Sequence, residues 1–194
     1  MSKKKLEKDK KKKIKVKNKV KSKKQRNILG SIFKVNGNFN FLALLKNIIL
    51  PVGGALIVGF MTKGGMNIYN SLKKPVITPP SIVFPIVWTI LYVLMGIAAY
   101  RIYMNNRSGR DDKGAYFYYL IQLAINFLWS FIFFNFRLYG ISFILIIVLL
   151  VLIIVTTIKF FKNDKLSGFL MIPYILWVSF ASVLTFFIYM LNEM

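Results

Sequence analysis

The sequence predicts an all-α integral membrane protein, a five-transmembrane-helix bundle with a disordered basic N-terminal tail. Three observations carry this reading. Hydrophobic residues make up 56% of the 194 residues and mean hydropathy is +0.56, yet the formal net charge is +22, so apolar and basic residues must be segregated along the chain. Between Met1 and Arg26 stand 15 of the 28 lysines and arginines against Glu7 and Asp9, a density at which no core offsets chain entropy. From Phe41 onward come five apolar stretches of roughly 18–25 residues, the length that crosses a hydrocarbon layer about 30 Å thick at about 1.5 Å per residue. The chain therefore divides into a lysine-rich cytoplasmic tail, 1–40, and a membrane domain, 41–194.

The first span, from about Phe41 to Phe60, carries Lys46 near its start, where a long side chain snorkels toward headgroups. Pro51, Gly53 and Gly54 are expected to loosen or kink it. The second, about Ile82 to Tyr100, is opened by Pro79 and Pro80, which preset φ where helix N–H groups lack partners, and its far end is marked by Arg101. The third, about Tyr116 to Phe136, holds only Gln122, Asn126 and Ser130 as clearly polar groups and is closed by Arg137. The fourth, about Ile141 to Ile158, is almost pure Ile, Leu and Val and reads as lipid-facing, with Lys159 and Lys162 after it. The fifth, about Gly168 to Leu191, has Tyr174 and Tyr189 near opposite ends, where amphipathic rings favour the interface.

Short connections rich in lysine and arginine stay on the cytoplasmic side. The tail, Lys34 and Lys46, then Arg101, Arg107, Arg110 and Lys113, then Lys159, Lys162 and Lys165 fall on one side, against Lys63, Lys73, Lys74 and Arg137 on the other. The expected topology is amino terminus inside and carboxyl terminus outside, in the plasma membrane of a bacterium. A secretory signal peptide fits poorly, because the apolar run starts only near Phe41, is long for a signal core and lacks a small-residue cleavage pattern.

The chain has no histidine and no cysteine, which removes zinc sites, thiolate nucleophiles, disulfides, imidazole acid/base catalysis and histidine haem ligation. Its six carboxylates, Glu7, Asp9, Asp111, Asp112, Asp164 and Glu193, all lie in the tail, loops or terminus. An ion-coupled transporter usually keeps an ionisable group at membrane depth, so this pattern argues against coupled transport. No metal or required cofactor is expected.

What the spans offer instead is aromatic surface with a few neutral polar groups. Asn126 and Trp129, three apart, share a helix face, and the Asn126 amide needs a partner across a helix or on a ligand. Trp177, Ala181 and Leu184 form one stripe of the fifth span, with the small Ala181 leaving room for a flat group. Trp88, Trp129 and Trp177 all sit several residues inside their spans, which suggests an aromatic-walled cavity for a planar hydrophobic ligand, although packing alone also accounts for buried indoles.

Three ordered motifs then match a known family. They are Tyr69, Leu72, Lys74, Pro75, Pro79, Pro80, Phe84, Trp88, Leu91, Tyr92, Met95 and Gly96; NFLWSFIFF from Asn126 to Phe134; and PYILWVSFASVL from Pro173 to Leu184, closing with Leu191 and Asn192. Over about Leu50 to Asn192 the sequence resembles the tryptophan-rich sensory protein, or translocator protein, family (TspO/MBR). The resemblance implies a five-helix bundle, commonly a homodimer, whose first loop covers a cavity that binds porphyrins and in many members steroids or synthetic aromatic ligands. Carried over by motif, the ligand-binding residues are Tyr69, Phe84, Trp88, Asn126, Trp129, Trp177, Ala181 and Leu184. The chain departs from the family pattern at Ile68 and Ile82, where tryptophan is usual, at Thr185 in place of asparagine, at Tyr189 in place of a late tryptophan and at Met190 in place of a basic residue. Fewer indoles mean less stacking area and fewer photo-oxidisable groups, and the missing basic residue removes the pattern proposed for sterol contact.

The tail, with runs such as KIKVKNKVK, suits anionic lipid or serves as a solvated extension that reinforces orientation. Nucleic acid is disfavoured, since the tail has no aromatic residue on which bases stack. The expected function is binding of porphyrin (protoporphyrin or haem) or a similar tetrapyrrole, as sensor, carrier or chaperone. The alternatives are a light- and oxygen-dependent porphyrin-degrading enzyme, with Trp88 the participating indole, and a membrane interaction scaffold.

Overall fold

The computed structural model describes residue 30, residues 32–107 and residues 113–194. Most of the tail expected to be disordered, residues 1–29, lies outside the described residues, as do Arg110, Asp111 and Asp112 of the second loop. The segment before Asn40 is a separate unit, in which Val35 and Asn38 exchange backbone hydrogen bonds of 2.9 and 3.0 Å around Asn36 and Gly37.

Among the described residues the second unit holds six α-helices: α1 (Phe41–Met61), α2 (Lys63–Ser71), α3 (Val83–Arg107), α4 (Lys113–Phe131), α5 (Tyr139–Asn163) and α6 (Lys165–Asn192). All but α2 belong to the five stretches long and apolar enough to cross a membrane, as the sequence predicted. Around the bundle α1 packs on α3, α3 on α6, α6 on α5, α5 on α4, and α4 again on α1.

Side-chain caps start two of these helices. Asn40 accepts from the Ala43 N–H at 3.0 Å ahead of α1, and Asp164 accepts from the Ser167 N–H at 2.9 Å ahead of α6. The helix α1 is continuous through Pro51. Proline removes the hydrogen bond to the carbonyl four residues back, that of Asn47, and α3 comes close at that place. A Cβ on Gly96 would lie 2.8 Å from Ile48 Cα and 2.9 Å from the Asn47 oxygen, so only glycine permits this approach.

Three further details differ from the sequence reading. The helix α3 continues past Arg101 to Arg107, and Asp164 neutralises the arginine through two hydrogen bonds, Nε to Oδ2 at 2.7 Å and Nη2 to Oδ1 at 2.9 Å. The third span closes in a π-helical turn, Ile132–Phe136, after which Arg137 adopts φ +59°. The fourth span is lipid-facing on one side only. Ile144, Val151 and Ile158 are at least half exposed, seven residues apart, while Ile146, Leu149, Ile153 and Phe160 are buried in the bundle.

Candidate functional site

A cavity of about 490 Å³ opens among α1, α2, α3, α6 and the end of α4. Of the eight residues carried over by motif, Tyr69, Phe84, Trp88, Trp129, Ala181 and Leu184 line it. Its wall also takes in Tyr92, Phe133, Phe134, Thr185 and Lys63, which the motif reading did not assign to the site. A signal for three of them was present, since Tyr92, Phe133 and Thr185 stand four residues after Trp88, Trp129 and Ala181 on the same helix faces. Phe134 enters through the π-helical turn, and Lys63 through α2, neither of which periodicity of the spans announces.

The walls are ordered by ring contacts. Trp88 stacks on Tyr92 at 5.5 Å between centroids with planes 27° apart, and Trp129 stacks on Phe133 at 5.0 Å and 24°. Tyr69 meets Phe84 edge to face at 5.6 Å. Although α5 contributes no side chain to the cavity, the indole N–H of Trp129 donates to the Ser142 carbonyl of α5 at 3.1 Å and fixes the ring's orientation.

Asn126 and Trp177 stand apart from the cavity wall. The Asn126 amide is committed behind it, accepting from the Tyr92 hydroxyl at 2.7 Å and donating to Tyr174 Oη at 3.0 Å. Tyr174 in turn donates to Gln122 Oε1 at 3.0 Å, so the relay ties α3, α4 and α6 together. An amide in an apolar core is costly without partners, and neighbouring helices supply them here. Trp177 lies a turn away from Ala181, edge to face with Phe84 at 5.7 Å, and its indole N–H is buried with no hydrogen-bond partner.

One side of the cavity is closed by α2, through Lys63 and Tyr69. Gly65 lets α2 lie against the π-helical turn, where a Cβ would come 2.6 Å from the Phe134 oxygen. Lys74 caps the end of α2, donating to the carbonyls of Tyr69 at 2.9 Å and Asn70 at 3.0 Å, and its ammonium lies 4.8 Å from the Tyr69 ring centre. The Tyr69 hydroxyl is buried without a partner, and burial pushes its pKa up to about 12, so it keeps its proton at any physiological pH. Among the described residues no cluster of carboxylates suits a metal ion.

Comparison with known proteins agrees with this architecture. The TspO/MBR family profile matches residues 47–191. The chain is 34% identical over 154 residues to tryptophan-rich protein TspO of Archaeoglobus fulgidus, covering 79% of this chain and 99% of that one. It is 36% identical to a tryptophan-rich sensory protein of Cereibacter sphaeroides, over 61% of this chain and 72% of that one, and 29% identical to the human translocator protein, over 69% and 80%. With the matched segment reaching into all five spans and taking in every residue of the aromatic wall, the chain belongs to the TspO/MBR family.

Proposed function

We propose that this membrane protein binds a porphyrin or related tetrapyrrole in the cavity and serves as its sensor, carrier or chaperone. The observation that carries the reading is the cavity itself: its 490 Å³ falls within the range of small-molecule sites, and stacked rings from several helices wall it. Burying a flat macrocycle there removes apolar area from water at roughly 25 cal/mol per Å² before association costs. No carboxylate lines the wall and the chain has no axial histidine or cysteine, so binding by shape suits the site better than acid/base turnover. Metal-free porphyrin is therefore expected to bind at least as well as haem. The names of the relatives, sensory protein and translocator, agree with sensing or carriage.

Titration of detergent-solubilised protein with protoporphyrin in the dark, followed by tryptophan quenching, tests this. Saturable one-site binding that weakens about fivefold or more in Trp88→Leu is expected from the loss of ring contact. A folded sample with no saturable binding would remove the porphyrin reading.

Light-dependent breakdown is the second reading, favoured by the position of Trp88 on the wall and its stacking on Tyr92. A product spectrum that forms only under illumination, and is lost in Trp88→Phe with binding intact, would establish it. In the leading reading the chain is a homodimer in a bacterial plasma membrane with its carboxyl terminus outside, an orientation that the distribution of lysine and arginine supports. Cross-linking in native membranes and protease access to the tail in intact cells test those two points.

A further inference from the structure

Among the described residues Lys63, Lys74 and Arg107 each stand over the ring of a near neighbour in the chain, Phe60, Tyr69 and Tyr103. The fourth such contact joins two membrane-crossing helices. The ammonium of Lys159, on α5, lies 4.9 Å from the centre of the Tyr118 ring on α4. Tyr118 stands one turn after the start of α4 and Lys159 one turn before the end of α5, so the pair sits roughly 6–8 Å inside the helix ends. Their chain neighbours Phe117 and Ile158 are apolar and at least half exposed, as residues facing lipid are.

A cation at that depth needs an anion or a path to water. Neither carboxylate of the described residues serves, since Asp164 is bound by Arg101 and Ser167 and Glu193 accepts from the Gly140 N–H. The Tyr118 hydroxyl makes no hydrogen bond among the described residues, and Lys162, one turn beyond Lys159, is exposed and unpaired there. Toward the middle of the membrane, Ile121 and Ile125 follow Tyr118 on α4, while Val155 and Leu152 precede Lys159 on α5. All four are half-buried and stand at helical spacing, so an apolar row runs down the seam from the basic group.

We propose that this end of the α4–α5 seam binds an acidic phospholipid, its phosphate held by Lys159, Lys162 and the Tyr118 hydroxyl and an acyl chain lying along the row below. One side of the Lys159 ammonium rests on the ring, which leaves N–H donors for phosphate oxygens and keeps a long side chain from wandering. A zwitterionic lipid presents the same phosphate with a cation attached, which the two lysines repel. None of these residues lines the cavity, so the site stands independently of what the cavity holds.

The chain has no cysteine, so Phe117→Cys gives a unique attachment point for a fluorophore beside the seam. The labelled full chain is reconstituted in phosphatidylcholine vesicles with a small fraction of bromine-labelled phosphatidylglycerol or phosphatidylcholine, and the ratio of quenching by the two lipids reports local preference. Phosphatidylglycerol is expected to quench more. Lys159→Gln is expected to lower the ratio about two- to fivefold, the worth of one lysine at a charged surface, and Lys159→Arg to retain it. Tyr118→Phe is expected to lower it about twofold, as loss of one hydrogen bond predicts. Lys46→Gln removes an exposed lysine from the same end of the bundle, on α1, and is expected to leave the ratio unchanged.

An unchanged ratio in Lys159→Gln would overturn the site. An equal fall in Lys46→Gln would overturn it in favour of undirected surface charge, and an unchanged ratio in Tyr118→Phe would overturn the part given to the hydroxyl. Loss of the preference on adding millimolar glycerol phosphate would overturn the part given to the acyl chain.

Discussion

The side-chain amide of Asn192, in the last turn of α6, makes a two-way hydrogen bond with the backbone of Lys73, accepting from its N–H at 2.9 Å and donating to its carbonyl at 2.9 Å. An amide side chain here does what a neighbouring strand does in a sheet, and it fastens the loop that follows the covering helix to the end of the bundle. Asn192→Ala is expected to leave the helical bundle folded and to speed ligand release, raising the dissociation rate about three- to tenfold for the loss of two solvent-exposed bonds. Stopped-flow release of protoporphyrin and amide exchange at Lys73 measure the two effects together.

At the opposite end of the bundle, α3 and α6 are joined by Arg101 and Asp164, and the Ser167 hydroxyl also donates to Asp164 Oδ2 at 2.6 Å. Burial by itself raises the Asp164 pKa, but hydrogen bonds from Arg101 and Ser167 together with the arginine's charge outweigh it and hold the carboxyl below its ordinary value of 3.8. A group whose pKa is lower folded than unfolded stabilises the fold above its unfolded value and loses that contribution as pH falls through the folded one. Thermal stability is therefore expected to be level near neutrality and to decline below about pH 4, with the acid decline reduced in Asp164→Asn. At neutral pH Asp164→Ala is expected to cost about 2–4 kcal/mol, since it removes an ion-pair partner of a buried arginine and the cap of α6. Melting curves in detergent across pH test both statements.

Replacing Asn126 separates structure from binding. In Asn126→Leu the hydroxyls of Tyr92 and Tyr174 lose their shared partner, which predicts a stability loss of about 1–3 kcal/mol. Protoporphyrin affinity is expected to fall less than in Trp88→Leu, because the amide does not line the cavity. Parallel denaturation and binding curves on the two variants decide the order.

Close approach of α1 and α3 depends on Gly96. Gly96→Ala places a methyl group 2.8 Å from backbone, which has no soft side chain to yield, and is expected to cost about 1–3 kcal/mol. Gly53→Ala, where the nearest atom is a side-chain methyl of Ile49 at 3.6 Å, is the matched control and is expected to be neutral or slightly stabilising. Thermal denaturation of both variants reads the contrast.

The amino-acid sequence by itself determined that five helices cross a membrane and roughly where each lies, because length and hydropathy suffice when a bilayer leaves the backbone no other way to satisfy its hydrogen bonds. Its resemblance to a known family also pointed to Tyr69, Phe84, Trp88, Trp129, Ala181 and Leu184, which share one cavity. Only the tertiary structure decided which faces meet. Lipid and protein interior are equally apolar, so Ile146 and Ile144 look alike in sequence although one is buried and the other exposed. The same limit explains Asn126 and Trp177: a helix face is legible one chain segment at a time, but whether a polar atom on it meets a guest or a neighbouring tyrosine depends on a second helix whose rotation the sequence does not display.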